Sequence, residues 1–305
     1  MSETIIKTRG LTRSFGANVA VHALNMDIKR GELYGLVGPD GAGKSTAMRL
    51  LAAIMDPTTG DAWVAGHSIR TEAERIKEKI GYMSQRFGLY EDLTVMENIL
   101  FYADIYEVPG KERPARIERL LGFSNLTQFK GRLAGNLSGG MKQKLGLACA
   151  LIHTPEVLIL DEPTNGVDPV SRRDFWKILY GLITEGATIL VSTAYLDEAE
   201  RCSRIGLMHN GRILIEDEPR NVRSSLGRQM IEVWSDNARA AIELSENMDN
   251  VLGVSLYGDR LHIAVDHNVQ AVEIISALKR RGVSVRDYRT ILPSLEDVFI
   301  SMVDK

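Results

Sequence analysis

At 305 residues, with 25% charged and 44% apolar side chains, the chain has the length of two domains and the make-up of an ordinary globular protein. A net charge of −3 gives it no general attraction to nucleic acid or anionic lipid. Cys149 and Cys202 are too few for a disulfide framework and lack metal-ligand spacing. Met1–Arg9 has no secretory apolar core, and no apolar run approaches the roughly 18 residues that span a bilayer. The expectation is a cytosolic chain that reaches a membrane only through a partner.

In chain order, short strands are predicted over Thr4–Thr8, Val19–Ile28 and Leu33–Val37. Phe15 lies in the first loop among polar residues, where an exposed ring can stack on a nucleobase or fold back into the core. The run Gly38-Pro39-Asp40-Gly41-Ala42-Gly43-Lys44-Ser45-Thr46 satisfies G-x-x-x-x-G-K-[ST] between an apolar strand and a run, 47–54, free of Gly and Pro. Such a loop turns its N–H groups onto phosphate oxygens and adds the positive end of the following helix. Lys44 supplies a point charge for β/γ-phosphates, and Ser45 a hydroxyl for Mg²⁺. The reading is nucleotide binding.

Beyond the loop, Gly60–Ile69 reads as one strand, Glu72–Lys79 as a short helix, and 80–85 as an apolar run ending in a lone Gln85. Arg86-Phe87-Gly88-Leu89-Tyr90 combines rings with Gly, as would the lining of a groove for a partner's short helix. A helical block follows, opened by a Thr94/Glu97 capping box, with helices at 95 onward, Lys111–Leu121 and Met141–His153. The strand Val157–Leu160 ends in Asp161-Glu162, carboxylates suited to holding Mg²⁺ and to orienting or deprotonating a water. Asp168 caps a helix that starts at Pro169 and stops before Gly186. Thr188–Ser192 is a further buried strand, and a hairpin turns at Asn210-Gly211.

The pattern changes near residue 223. Strands at Gln229–Ser235, Asn250–Tyr257, Leu261–Val265 and Val283–Thr290, with helices at Asn237–Met248 and Val269–Arg281, give a split βαβ, ferredoxin-like order. A terminal helix covers Ser294–Val303. The expected domains are 1–222 and 223–305, the second an accessory module without a catalytic constellation.

With these residues in view, the first 220 resemble the ATP-binding subunits of ABC transporters. That resemblance implies an α/β P-loop NTPase with a helical subdomain over about 88–155, an antiparallel β-subdomain, ATP and Mg²⁺ as cofactors, and no nucleic-acid partner. It implies that Phe15 stacks on adenine, that Gln85 contacts Mg²⁺ and senses the membrane subunit, and that Ser138-Gly139-Gly140 is the signature. Asn165-Gly166-Val167-Asp168 matches the D-loop. Gly88–Thr94, Met141 after the signature, Tyr195–Glu200 and Pro293–Phe299 resemble exporters of the ABC-2, daunorubicin-resistance kind. Within that kind, the chain is similar to the first half of a tandem multidrug-exporter ATPase. The implied partners are a second ABC ATPase domain, met head-to-tail, and an ABC-2-type permease that holds the chain at the inner face of the cell membrane.

One position departs from the pattern. Family members carry His after Ser-Thr in the switch loop; here Ser192-Thr193 is followed by Ala194. Losing one preorganised contact to the transferring phosphoryl costs about 3 kcal/mol, roughly 10²–10³ in rate. Two readings compete with a competent transport ATPase: a nucleotide-responsive half with negligible hydrolysis, and a soluble ABC-fold mechanical protein. The single cassette and short insertion weigh against the last.

Overall fold

A computed structural model describes residues 3–85, 88–266 and 268–303, and it divides into two compact units between Glu216 and Asp217. The expected boundary, 222/223, falls inside a short helix that packs within the second unit.

The first unit begins with β1 (Thr4–Phe15), which runs past the expected end at Thr8. Gly10 at φ +55° and breaks in register let the strand bend without stopping. It pairs antiparallel with β2 (Asn18–Leu24) and β3 (Asp27–Lys29). The strand β4 (Leu33–Val37) is buried at every residue and leads through the Gly-rich loop into α1 (Lys44–Leu51). The single strand expected over Gly60–Ile69 is instead a hairpin, β5 (Thr59–Val64) and β6 (His67–Ser68). Ala65 and Gly66, at φ +49° and +84°, make its two-residue turn.

Next come α2 (Ala73–Lys79) and β7 (Ile80–Met83), then the helical block of α3 (Val95–Ile105), α4 (Arg113–Phe123) and α5 (Gly139–Leu151). Thr94 and Glu97 form the capping box of α3 in both directions. The three helices close on their own core, including Ile99, Leu121 and Leu145. The chain returns through β8 (Val157–Asp161), α6 (Pro169–Thr184), β9 (Thr188–Thr193), α7 (Leu196–Ala199), β10 (Arg204–His209) and β11 (Arg212–Asp217). Asp168 caps α6 by accepting from the N–H groups of Val170 and Ser171.

The central sheet has the order β11-β10-β4-β9-β8-β7 and is parallel from β10 to β7. Its inner strands β4, β8 and β9 are buried throughout, as parallel strands covered on both faces must be. A second, antiparallel sheet of β1, β2, β3, β5 and β6 shares a core with α1 and the central sheet through Ile6, Leu11, Met48, Ile159 and Met208.

The second unit contains α8 (Pro219–Ser224), β12 (Arg228–Ser235), α9 (Ala238–Glu246), β13 (Val251–Tyr257), β14 (Arg260–Asp266), α10 (Ala271–Arg280), β15 (Val285–Ile291) and α11 (Leu295–Val303). Its sheet, β13-β14-β12-β15, is antiparallel throughout. Ile231, Val233, Leu261 and Ile263 pack with Ile274, Ile275 and Leu278 of α10. This is the expected ferredoxin-like arrangement.

Candidate nucleotide site

Strand order explains why distant motifs converge. The Gly-rich loop follows β4, Ala194 follows β9, Glu162 follows β8 and Gln85 follows β7, and these four strands are neighbours in that order. Four loops therefore leave the carboxyl edge of the sheet side by side, where α/β sheets bind ligands.

The loop's glycines are required by close approach. A Cβ on Gly38 would lie 2.1 Å from the Met208 carbonyl oxygen, and one on Gly43, at φ +102°, 2.1 Å from that of Ala20. The loop is bonded outward as well: Gly211 N–H donates to the Ala42 carbonyl (2.9 Å), and His22 N–H to the Gly211 carbonyl (2.8 Å). A cavity of about 510 Å³ opens here. It is lined by Asp40, Gly41, Gly43, Lys44, Ser45, Thr46, Gln85 and Glu162, together with Asn18–Ala20 and Asn210-Gly211.

Inside it, Lys44 Nζ donates to the carbonyls of Gly38 (2.7 Å) and Pro39 (3.0 Å) and stands 3.2 Å from Glu162 Oε1. Glu162 Oε2 accepts from Gln85 Nε2 (2.8 Å) and Asn165 Nδ2 (3.2 Å). Glu162 itself sits at φ +48°, so the chain turns sharply at the carboxylate where β8 ends. Asp161 is fully buried behind it. Its Oδ1 accepts from Ser45 Oγ (2.9 Å) and Ser192 Oγ (2.7 Å), whereas Oδ2 has no partner among the described residues. Burial raises the Asp161 carboxyl above the usual range, against the lowering effect of those two hydroxyls. An orphaned buried carboxylate oxygen beside a serine hydroxyl fits a hard divalent cation such as Mg²⁺.

A smaller cavity of about 210 Å³ adjoins, lined by Asp40, Glu162, Thr164, Asn165, Thr193, Ala194 and Tyr195. Its walls are braced by a carboxylate that the sequence reading did not single out. Glu198, fully buried, accepts from Thr164 Oγ1 (2.6 Å) and Thr193 Oγ1 (2.8 Å), with Arg172 Nε at 3.5 Å.

Other expected residues lie apart from these cavities. Phe15 is 46% exposed at the β1–β2 turn, opposite Asn18, with the Arg13 guanidinium 4.6 Å over its ring. Gly38 and Ala42 are buried behind the loop, and Pro39 faces out. Ser138, Gly139 and Gly140 line neither cavity; Ser138 caps α5, which starts at Gly139 rather than Met141, by accepting from Met141 N–H. A Cβ on Gly140 would lie 2.5 Å from that of Ser171, so α5 and α6 touch there.

In the expected docking segment, Arg86 and Phe87 lie outside the described residues. Leu89 packs on the helical core, while Tyr90, half exposed, meets Phe101 edge-on at 4.5 Å. A groove of about 680 Å³ lies nearby in sequence, lined by Ile54, Tyr82, Ile105, Tyr106, His153 and charged residues of α2. Ile54 and Ile105 are 52% and 56% exposed in it.

Comparison with known proteins agrees with this geometry. Residues 21–165 match the ABC transporter family, and 218–303 the C-terminal domain of DrrA1-3-like ATP-binding proteins. The chain is 40% identical over 99% of its length to the probable multidrug ABC transporter ATP-binding protein YbhF of Escherichia coli, and spans 53% of that protein, about half. It is 32% identical to the daunorubicin/doxorubicin resistance ATP-binding protein DrrA of Streptomyces peucetius, covering 97% of this chain and 92% of DrrA. The bacitracin transport protein BcrA of Bacillus licheniformis is also 32% identical, with 98% and 97% covered. Among solved structures, the dimeric ATP-binding cassette MJ0796 bound to ADP and Pi matches with a TM-score of 0.63 at 27% identity, over 70% of this chain and 98% of that one. Among the described residues no helix is long and apolar enough to cross a membrane. The chain belongs to the family of ABC transporter ATP-binding proteins, with a DrrA-like C-terminal domain.

Proposed function

We propose that this chain binds and hydrolyses ATP as the motor subunit of an ABC-2-type exporter, and that its own site turns over slowly because of Ala194. The carrying observation is the convergence of Lys44, Ser45, Gln85 and Glu162 on one cavity, with Asp161 bonded to Ser45 behind it, beside a void at residue 194.

In this reading Lys44 leaves Glu162 when nucleotide enters and turns to the β/γ-phosphates, while the loop's N–H groups hold the same oxygens. Freed from Lys44 but still held by Gln85 and Asn165, Glu162 accepts a proton from the attacking water. Ser45, Asp161 Oδ2 and Gln85 are the groups that would hold Mg²⁺, which supplies neutralising charge at the phosphates when bound. Phe15 stacks on the base from the rim. Ala194 brings neither a hydrogen bond nor a charge to the γ-phosphate, and the 210 Å³ void is the space an imidazole there would enter.

Ser138–Gly140 lies apart from both cavities, which supports a head-to-tail dimer in which each signature completes the other chain's site. A second ATPase domain that keeps its His would then turn over normally, completed by this chain's signature. The permease docks in the groove at Ile54 and Ile105, and the chain is peripheral at the membrane's inner face through that contact. A regulatory half with negligible hydrolysis is the second reading, and Ala194 is the residue that favours it.

Steady-state ATPase of the full chain separates them. Ala194→His should raise the rate and Glu162→Gln should abolish what remains. A rate of about 1 s⁻¹ or more in the unmodified chain, unchanged by Ala194→His, would refute the slow-site reading. A rate below detection even with Ala194→His would favour the regulatory one.

A further inference from the structure

Glu198 is an unusual residue to bury. It sits on α7, a four-residue helix directly after the switch loop, with no exposed surface. A carboxylate in that position is tolerated only if every lone pair finds a partner, and its partners come from three separate segments. Thr164 is two residues past Glu162 on the loop leaving β8; Thr193 ends β9, immediately before Ala194; Arg172 lies one turn into α6, just after the Asp168 cap. Arg172 also lies over the Tyr195 ring at 4.3 Å and reaches Asp197 at 4.0 Å. The Thr193 hydroxyl that donates to Glu198 accepts in turn from Tyr195 N–H at 3.0 Å.

Thr164, Thr193 and Tyr195 line the 210 Å³ cavity, and Glu162 forms another part of its wall. The carboxylate therefore bridges the loop carrying Glu162 and the switch loop, beyond the point where the β8–β9 ladder ends at Asp161 and Ser192. A buried hydrogen-bonded network that joins separate segments favours one geometry, where apolar packing would permit several.

We propose that Glu198 is a positioning residue for ATP hydrolysis. It pins the Glu162 loop and the switch loop at one separation through Thr164 and Thr193, and through Arg172 makes both follow α6 and the loop at 165–168. The proposal rests on the hydrolytic reading above, and the test keeps the two apart.

The full chain is compared with Thr193→Val, Thr164→Val, the double variant, Thr193→Ser and Glu198→Gln, with Glu162→Gln as the control for the reaction. MgATP affinity is measured by calorimetry and hydrolysis in single turnover with protein in excess. Each valine should slow the chemical step at least tenfold or so, as misplacement on the scale of 1 Å does, while the affinity moves by less than about twofold. The double variant should be no slower than the slower single, since both hydroxyls act through one carboxylate, and Thr193→Ser should restore the rate. Unchanged rates in both valine variants would overturn the proposal, as would equal losses in affinity and rate, or failure of serine to rescue. If Glu162→Gln keeps the rate, the hydrolytic reading itself fails. Should turnover be too slow to time, amide exchange decides: Glu198→Gln should speed exchange in both 163–168 and 193–197, and no change at either loop refutes the pinning.

Discussion

Removing Lys44 should separate what holds the empty site together from what holds nucleotide. In the structure the ammonium is buried against Glu162 at 3.2 Å. At an effective dielectric of about 20, that separation corresponds to about 5 kcal/mol of gross attraction. Lys44→Ala strands Glu162, and a stranded partner in a closed interior costs about 3–5 kcal/mol. Here Glu162 keeps its bonds from Gln85 and Asn165 and borders a water-accessible cavity. The expected loss is therefore smaller, about 2 kcal/mol, or about 4–8 °C in the melting midpoint of a unit this size. Adding Glu162→Gln removes the stranded charge and should return most of that loss. MgATP affinity should behave differently, falling severely in Lys44→Ala and staying low in the double variant. Thermal unfolding by circular dichroism and calorimetric titration measure the two. Recovery of ATP binding in the double variant would mean that Lys44 acts only by restraining Glu162. An unchanged midpoint in Lys44→Ala would mean that the ion pair contributes nothing.

Phe15→Ala should leave the midpoint unchanged, since the ring is already half exposed, and should weaken ATP and ADP binding alike; selective loss of ATP would exclude stacking. Ile54→Asp or Ile105→Asp should abolish co-purification with the permease at an unchanged melting midpoint, whereas retained co-purification would move the docking site elsewhere. The His153 imidazole lies below its usual range: burial lowers its pKa, the bond to the Ile80 carbonyl opposes this, and nearby Arg116 adds to the lowering. The unfolded chain takes up that proton near pH 6.5 or so, so the histidine's contribution is present above that pH and is lost as pH falls through the folded-state value. The midpoint of the unmodified chain should therefore drop more between pH 7 and pH 5 than that of His153→Gln, and parallel curves would count against it.

The sequence was most informative where backbone and chemistry demand particular residues at fixed spacing. Gly38, Gly43, Lys44 and Asp161-Glu162 were legible because a phosphate loop and a strand-end carboxylate pair leave little freedom of composition. The Asp168–Pro169 cap and the Thr94/Glu97 box were legible for the same reason. The β5–β6 hairpin was not, because Ala65 adopts φ +49° and alanine carries no signal for that region. Glu198 was hidden by its neighbours: within Leu196-Asp197-Glu198-Ala199-Glu200 it reads as one more solvated charge. Only the packing of α7 reveals that it is enclosed among hydroxyls contributed by residues 164 and 193. Asn18–Ala20 carry no chemical signature and line the cavity through the path of β2 alone.

The bonds from Gly211 N–H to the Ala42 carbonyl and from His22 N–H to the Gly211 carbonyl, with Ala20 pressed against Gly43, fasten the phosphate loop to two sheets at once. Neither sheet can then open without dismantling the cavity. A ligand that binds only the intact cavity adds its binding free energy to the cost of opening either one, about 2.7 kcal/mol at a concentration one hundred times its dissociation constant. Occupancy would thus raise the cost of opening both sheets together, and strand β2, which lines the cavity only at its first three residues, would report on it.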